Sequence, residues 1–88
     1  MVKVKNMYSD RGNTVPNQFI ITTNDGEYFQ SYSSIIARRF NGQTYLDEYY
    51  WDYSRTTVKY RNKFLGEYTA DTKKKIKTGE YILTDLNS

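Results

Sequence analysis

Alternating apolar and polar residues in the first half of the chain predict β-strands. Residues 18–23 are rich in β-branched and aromatic side chains and predict a strand, and residues 27–32 predict a second one. Asp25 and Gly26 lie between them. This dipeptide favours a two-residue hairpin, because a type I′ turn needs positive φ at both central positions. The expected partners across the hairpin are Thr23 with Tyr28, and Ile21 with Gln30.

A second hairpin is predicted at Asn41-Gly42. The segment before it is ambiguous, because two serines at 33–34 could cap a helix over the isoleucines that follow. Since a tight turn requires a strand on each side, we interpret 35–40 and 43–51 as strands, with the second and third predicted strands (27–32 and 35–40) either separate or continuous. Alternation in 43–51 places Tyr45, Asp47, Tyr49 and Trp51 on one face and Leu46, Glu48 and Tyr50 on the other. Cross-strand pairing with Asp47 and Glu48 is the expected role of Arg38 and Arg39.

The pattern changes to a helical period after Trp51. Ser54 or Thr56 can cap a helix over 54–65, and Gly66 can end it. Apolar residues within this segment recur at intervals of four and seven, although a strand is the competing interpretation. A second helix is predicted over 70–78, and a last strand over 80–86. The expected cap of the second helix is Thr69, and its C-terminal glycine is Gly79.

These elements predict a small α+β domain, with one or two short helices on one face of a mostly antiparallel sheet of four to five strands. Residues 17–88 would form this single domain. Residues 1–16 contain Pro16 and a Gly-containing turn, so they predict a loose N-terminal arm or an edge strand. A frayed segment over 6–16 is favoured.

Composition excludes several kinds of chemistry. The chain has no histidine and no cysteine, which removes the commonest general base, thiolate nucleophiles and sulfur-based zinc sites. It also lacks a phosphate-binding glycine motif. Asp47, Glu48 and Asp52 match no calcium loop. We therefore expect no enzymatic activity, catalytic residue, metal or cofactor. The plain N-terminus and the lack of a long apolar run favour a cytoplasmic protein without membrane contact.

The positive charge is concentrated in one part of the chain. Residues 53–79 carry eight basic and two acidic side chains, whereas residues 1–52 carry five basic and six acidic ones. A local basic surface can bind DNA or RNA through phosphates, with exposed tyrosines stacking on bases. The candidate nucleic-acid-binding residues are Arg55, Lys59, Lys63, Lys73, Lys74 and Lys77. The first three recur every four residues and would form one ridge. The competing interpretation of the lysines in 73–77 is a solvated helix face.

Aromatic residues make up 17% of the chain and include ten tyrosines. Tyrosine, tryptophan and arginine are enriched at protein interfaces, so a protein-binding surface is the second interpretation. Its candidate residues are Tyr45, Tyr49, Tyr50 and Tyr53. The alternative is that these rings fill a core short of leucine and valine. A small core and an aromatic sheet edge also favour a homodimer.

Three segments resemble short proteins encoded by phages, prophages and plasmids of Gram-positive bacteria. They are YFQSYSSIIA (28–37), WDYSRTT with KYRNKFLG (51–57 and 59–66), and KKIKTGEY (74–81). The resemblance extends over residues 17–86. That group has no assigned activity, so it provides no site residues. It implies an accessory protein that binds host macromolecules, including nucleases and defence complexes. We therefore expect stoichiometric binding to a host or phage protein, with nucleic-acid binding as the alternative.

Overall fold

The computed structural model describes residues 1–88 and contains one open six-stranded sheet with two helices on one face. The strands are β1 (Lys3–Tyr8), β2 (Thr14–Thr23), β3 (Gly26–Ser31), β4 (Ser34–Phe40), β5 (Gln43–Asp47) and β6 (Tyr81–Thr84). The helices are α1 (Arg55–Leu65) and α2 (Thr69–Thr78). The strands lie in chain order; β1 to β5 are antiparallel, and β6 is parallel to β5. The predicted α+β class is confirmed.

The additional strand is β1, which pairs with β2 from Lys3 opposite Thr22 to Asn6 opposite Phe19. Residues 3–8 therefore form an edge strand, which was one of the two alternatives for residues 1–16, and the segment 6–16, for which fraying was favoured, contains the end of β1, a turn and the start of β2. The physical reason is the free backbone edge of β2. Four of the five paired positions of β2 lie within residues 19–22, inside the strand predicted at 18–23, and Tyr8 pairs with Thr14, where β2 begins four residues earlier than expected.

The two predicted hairpins differ in accuracy. Asn41 and Gly42 form the expected turn, with φ values of 50° and 76°. At the other hairpin Thr23 pairs with Gly26, so the loop is one residue earlier and Tyr28 lies opposite Ile21. A Cβ on Gly26 would lie 2.3 Å from the carbonyl oxygen of Arg39. This glycine therefore permits close approach of β4.

A third turn, at residues 32–33, separates β3 from β4, so these two strands are not continuous. Tyr32 adopts a left-handed conformation there, with φ of 58°, which gave no sequence signal because such residues are usually glycine or asparagine. A bulge follows, since Phe29 pairs with Ala37 while Gln30 pairs with Ile35.

β5 ends at Asp47, so the strand predicted to continue to Trp51 is too long. Asp47 is buried, and its Oδ2 accepts hydrogen bonds from the backbone N–H groups of Tyr49 and Tyr50, at 3.0 and 2.8 Å. These bonds turn the chain out of the sheet, as a local side-chain acceptor competes with strand pairing. The alternating faces predicted for Tyr49, Tyr50 and Trp51 are therefore wrong.

The helix termini follow the predicted capping residues closely. The Ser54 hydroxyl accepts a hydrogen bond from the N–H of Thr57 at 3.2 Å, and Gly66 ends α1 in the left-handed conformation. Gly79 ends α2 in the same way, but the residue at its N-cap is Tyr68 and not Thr69. The Asp71 carboxylate accepts from the Tyr68 N–H at 3.1 Å. The Thr69 hydroxyl instead accepts hydrogen bonds from Arg61 and Asn62 of α1.

The core lies between the sheet and the helices. Phe29 of β3 stacks on Phe64 of α1, with ring centroids 5.9 Å apart. The buried apolar residues are Met7, Phe29, Ile36, Ala37, Leu46, Tyr60, Phe64 and Tyr81. Neither helix is long and apolar enough to cross a membrane.

Candidate functional site

The side of the sheet opposite the helices presents a row of large side chains. Residues paired across strands share a face, and the pairing connects one residue from each strand. The row consists of Val4, Ile21, Tyr28, Arg38, Tyr45 and Ile82. Their chain neighbours Phe29, Ala37 and Leu46 lie in the core. Because successive strand residues point to opposite sides, the row faces away from both helices.

We call this surface the open face. It is defined by the row together with three flanking residues, Phe19, Ile35 and Phe40. Val4 is 60% exposed and Ile82 is 41% exposed, while the central residues of the row are half-buried. A row of partly exposed apolar and aromatic side chains on an uncovered sheet face is typical of an interaction site.

Arg38 lies at the centre of the open face. Its guanidinium carbon is 5.7 Å from the ring centroid of Tyr28, 5.0 Å from that of Phe40 and 5.5 Å from that of Tyr45. Its Nε and Nη2 both donate to the backbone carbonyl of Asp25, at 3.1 and 2.9 Å. The rings and the carbonyl hold the cation in place without neutralising it.

The neighbouring arginine has a different environment. Arg39 points to the helix side, where it forms a 2.5 Å ion pair with Glu27 and lies 4.1 Å from the Phe64 ring. The expectation that both arginines pair with Asp47 and Glu48 is therefore wrong. Asp47 is engaged by backbone N–H groups, and Arg38 has no carboxylate partner.

The four predicted protein-binding tyrosines divide between two surfaces. Tyr45 lies on the open face, whereas Tyr49, Tyr50 and Tyr53 lie in the loop between β5 and α1. Tyr50 makes edge contacts with the other two loop rings, at centroid distances of 4.8 and 5.4 Å. Tyr49 and Tyr53 are 72% and 66% exposed. The loop borders a groove of about 570 Å³ that Tyr32 and Arg55 also line.

Buried Arg61 fixes the position of this loop. Its Nη1 donates to the carbonyl of Trp51 at 2.7 Å, and its guanidinium carbon lies 5.2 Å from the Trp51 ring centroid. Nη2 donates to Asn62 and Thr69, at 2.9 and 3.2 Å. Burial lowers the pKa of the guanidinium below its ordinary value, and the carboxylates of Asp52 and Glu67 oppose that change. Arg61 therefore joins the loop to both helices.

The predicted basic ridge on α1 is only partly available. Arg55 and Lys59 are exposed and form no ion pair, but Lys63 is 2.7 Å from Asp10 Oδ1 and donates to the Tyr8 carbonyl at 3.0 Å. The hydrogen bond that the Asp10 carboxylate accepts from Lys63, together with the positive charge of Lys63, holds the pKa of Asp10 below its usual range. Lys63 therefore links α1 to the end of β1 and the turn that follows it.

The predicted lysines of α2 remain exposed. Lys73, Lys74 and Lys77 form no salt bridge, and they lie on the helix side of the molecule. The structure thus places the free basic side chains and the open face on opposite sides.

A cluster around Glu67 fastens α2 to β6. The Glu67 carboxylate accepts hydrogen bonds from Lys75 at 2.8 Å, Tyr81 at 2.6 Å and Thr72 at 2.5 Å. Burial raises the pKa of Glu67, but these hydrogen bonds outweigh it and leave the pKa below its ordinary value. Burial, together with the bond to Glu67, raises the pKa of Tyr81 to about 12.

Glu67→Gln should make the protein less stable at neutral pH and less sensitive to acid. Because folding lowers the Glu67 pKa, its carboxylate stabilises the fold above the unfolded pKa of 4.5, and this contribution is lost as pH falls through the folded value. We expect a loss of about 1–3 kcal/mol in the free energy of unfolding at pH 7. Urea unfolding at pH 7 and pH 3 measures both effects. Glu80→Gln, at an exposed position, is the control; equal behaviour of the two variants would contradict the assignment.

Comparison with known proteins identifies one family. A model for a family of unknown function, DUF8033, matches residues 2–80, so the chain belongs to that family. No curated protein and no solved structure matches the chain. The matched region includes five of the six strands and both helices.

Proposed function

We propose that this chain is a non-enzymatic binding protein that acts by stoichiometric binding of another protein through the open face. The observation that carries the proposal is the row of side chains across all six strands, on the side without helices. Tyrosine and arginine at the centre of such a surface are the residue types enriched at interface hot spots.

The construction of the open face also favours binding. Its side chains project from a hydrogen-bonded sheet, and Arg38 is already held by the Asp25 carbonyl and three rings. Little side-chain ordering would remain to be done when a partner docks. A preformed surface keeps the entropic cost of association low.

The resemblance of 28–37, 51–57, 59–66 and 74–81 to short phage, prophage and plasmid proteins supports a more specific form of the proposal. The protein would be an accessory factor of a mobile element, present in the cytoplasm of the bacterial host. Its partner would be a host or phage protein, such as a nuclease or a host-defence complex that it inhibits.

Nucleic-acid binding is the second candidate, and the exposed Arg55, Lys59 and α2 lysines favour it. Two observations make it weaker. Lys63 is engaged by Asp10, which interrupts the ridge, and the open face lies on the other side of the sheet from the lysines. Phosphate contacts and stacking on the open-face rings could not share one surface.

Site-specific photo-cross-linking tests the protein-binding proposal. p-Benzoylphenylalanine would replace Ile82, which is 41% exposed on the open face, in cells that make the protein. The matched control places the same group at Tyr68, which is 81% exposed beside α2. We expect a discrete covalent adduct with another protein from position 82 and none from position 68. Adducts only from position 68, or from neither position, would overturn the proposal.

A further inference from the structure

We infer that Arg38 receives a carboxylate of the partner, so that the open face binds a protein segment carrying an acidic side chain among apolar ones. The inference rests on the proposed function and adds the chemistry of the partner. It is carried by an unneutralised cation at the centre of a surface that is otherwise uncharged.

The uncharged surroundings follow from the strand register. The row and its flanks contain valine, isoleucine, phenylalanine and tyrosine, with Arg38 as the single charged member. The three salt bridges of the protein all lie elsewhere. Asp25 offers Arg38 only a backbone carbonyl, because Nε and Nη2 both donate to that oxygen. Nη1 makes no protein hydrogen bond and can donate to a ligand.

The surroundings of Arg38 strengthen its contact with a carboxylate of the partner. Arg38 is half-buried between three rings, and a partner covering the open face would remove the remaining water. A cation desolvated without a counter-charge is costly, so a partner that supplies a carboxylate is strongly preferred. The apolar residues on either side select apolar neighbours for that carboxylate.

Two other binding partners, a second copy of the protein and a nucleic acid, match the single positive charge of Arg38 less well. A two-fold dimer through the open face would bring the two Arg38 side chains together, and neither the row nor its flanks contain an acidic residue to separate them. A nucleic acid requires several cations along its backbone, whereas this face provides one. The observations therefore favour an acidic protein segment.

An NMR titration with a defined probe tests the inference. The probe is the blocked pentapeptide leucine-aspartate-leucine-glutamate-leucine, and its counterpart carries asparagine and glutamine in place of the acids. We expect the acidic peptide to shift the Arg38 Nε–Hε signal and the backbone amides of Tyr28 and Tyr45 in ¹⁵N-labelled protein. The amide peptide should bind at least about tenfold more weakly, since the charge-assisted bond is absent. Equal binding of both peptides, or no shift at millimolar peptide, would overturn the inference.

Variants at positions 38 and 39 show which of the two arginines binds the acidic peptide. Arg38→Gln should abolish the shifts, while Arg39→Gln, one residue along β4 on the helix side, should retain them. Arg38→Lys keeps the charge without the planar fork and should bind with intermediate affinity, which keeps the test valid if the glutamine variant folds poorly. Loss of binding in Arg39→Gln alone, or specific binding of a short oligonucleotide or self-association at Arg38, would contradict the inference.

The two proposals fail in different ways. If position 82 cross-links a protein but the acidic peptide does not depend on Arg38, the open face binds a protein and the carboxylate inference is wrong. If the acidic peptide binds at Arg38 but position 82 captures nothing, the inferred chemistry holds and the proposed function is wrong.

Discussion

Arg61→Ala is expected to destabilise the fold by about 3–5 kcal/mol, a large fraction of the stability of a small domain. The guanidinium of Arg61 is fully buried, and it holds Trp51, Asn62 and Thr69 at the junction of the loop and both helices. Alanine would leave a cavity and would leave the Trp51 carbonyl without its donor. Thermal unfolding measures this loss of stability, because the melting temperature of a domain of this size falls by about 4–8 °C per kcal/mol.

Two comparisons make the Arg61 result interpretable. Lys59→Ala changes an exposed residue of the same helix and should have the same melting temperature as the wild type. Arg61→Met should lose less stability than Arg61→Ala, because both substitutions remove the charge with its desolvation cost but methionine retains most of the side-chain volume and leaves a smaller cavity. An Arg61→Ala protein as stable as Lys59→Ala would show that Arg61 does not fasten the loop.

Asp47→Ala is expected to cost about 3 kcal/mol or more, because it leaves three backbone donors without their acceptor. The buried carboxylate accepts from Tyr49 and Tyr50 through Oδ2, and from Leu86 through Oδ1 at 2.8 Å. It therefore ends β5 and also anchors the C-terminal segment that follows β6. Urea unfolding measures the stability, and hydrogen exchange at the three amides locates the effect.

Glu48→Ala is the matched control for Asp47→Ala, since Glu48 is the exposed next residue and its side chain makes no hydrogen bond. We expect it to change stability by less than about 0.5 kcal/mol. If exchange at the amides of Tyr49, Tyr50 and Leu86 is unchanged in Asp47→Ala, the carboxylate does not determine how β5 ends.

Much of the fold was predicted from short sequence motifs that directly determine the local backbone conformation. Asn41-Gly42 specifies its turn because both residues tolerate positive φ, and Ser54 with Gly66 specifies both ends of α1. Each feature depends on residues within one turn of the chain, so no knowledge of distant packing was needed.

Three features were missed because their causes leave little signal in the sequence, and one of them depends on a distant contact. The alternation in 43–51 continues past Asp47, but the strand stops because a buried carboxylate takes the next N–H groups. The shift at Gly26 depends on the carbonyl of Arg39, thirteen residues away. A tyrosine does not predict the left-handed backbone conformation that residue 32 adopts in its turn.

The sequence predicted the residue types of the candidate site but not where those residues lie on the molecule. Tyr45 was selected by residue type and does lie on the open face, but Arg38 was assigned to a carboxylate pair that it does not form. Register determines which of two adjacent arginines faces the core, and a shift of one residue reverses the choice. Lys63 was assigned to the basic ridge because Asp10 is distant in sequence.

The central claim is that the open face binds a protein, and affinity for the protein cross-linked at position 82 tests it most directly. Isothermal titration would compare wild type, Ile82→Glu, and a helix-side variant with Lys73, Lys74 and Lys77 replaced by glutamine. Ile82→Glu should weaken binding at least about tenfold, because it buries a charge at an apolar contact, and the lysine variant should bind as wild type. Retained affinity in Ile82→Glu, with binding lost in the lysine variant, would place the interface on the helices and contradict the claim.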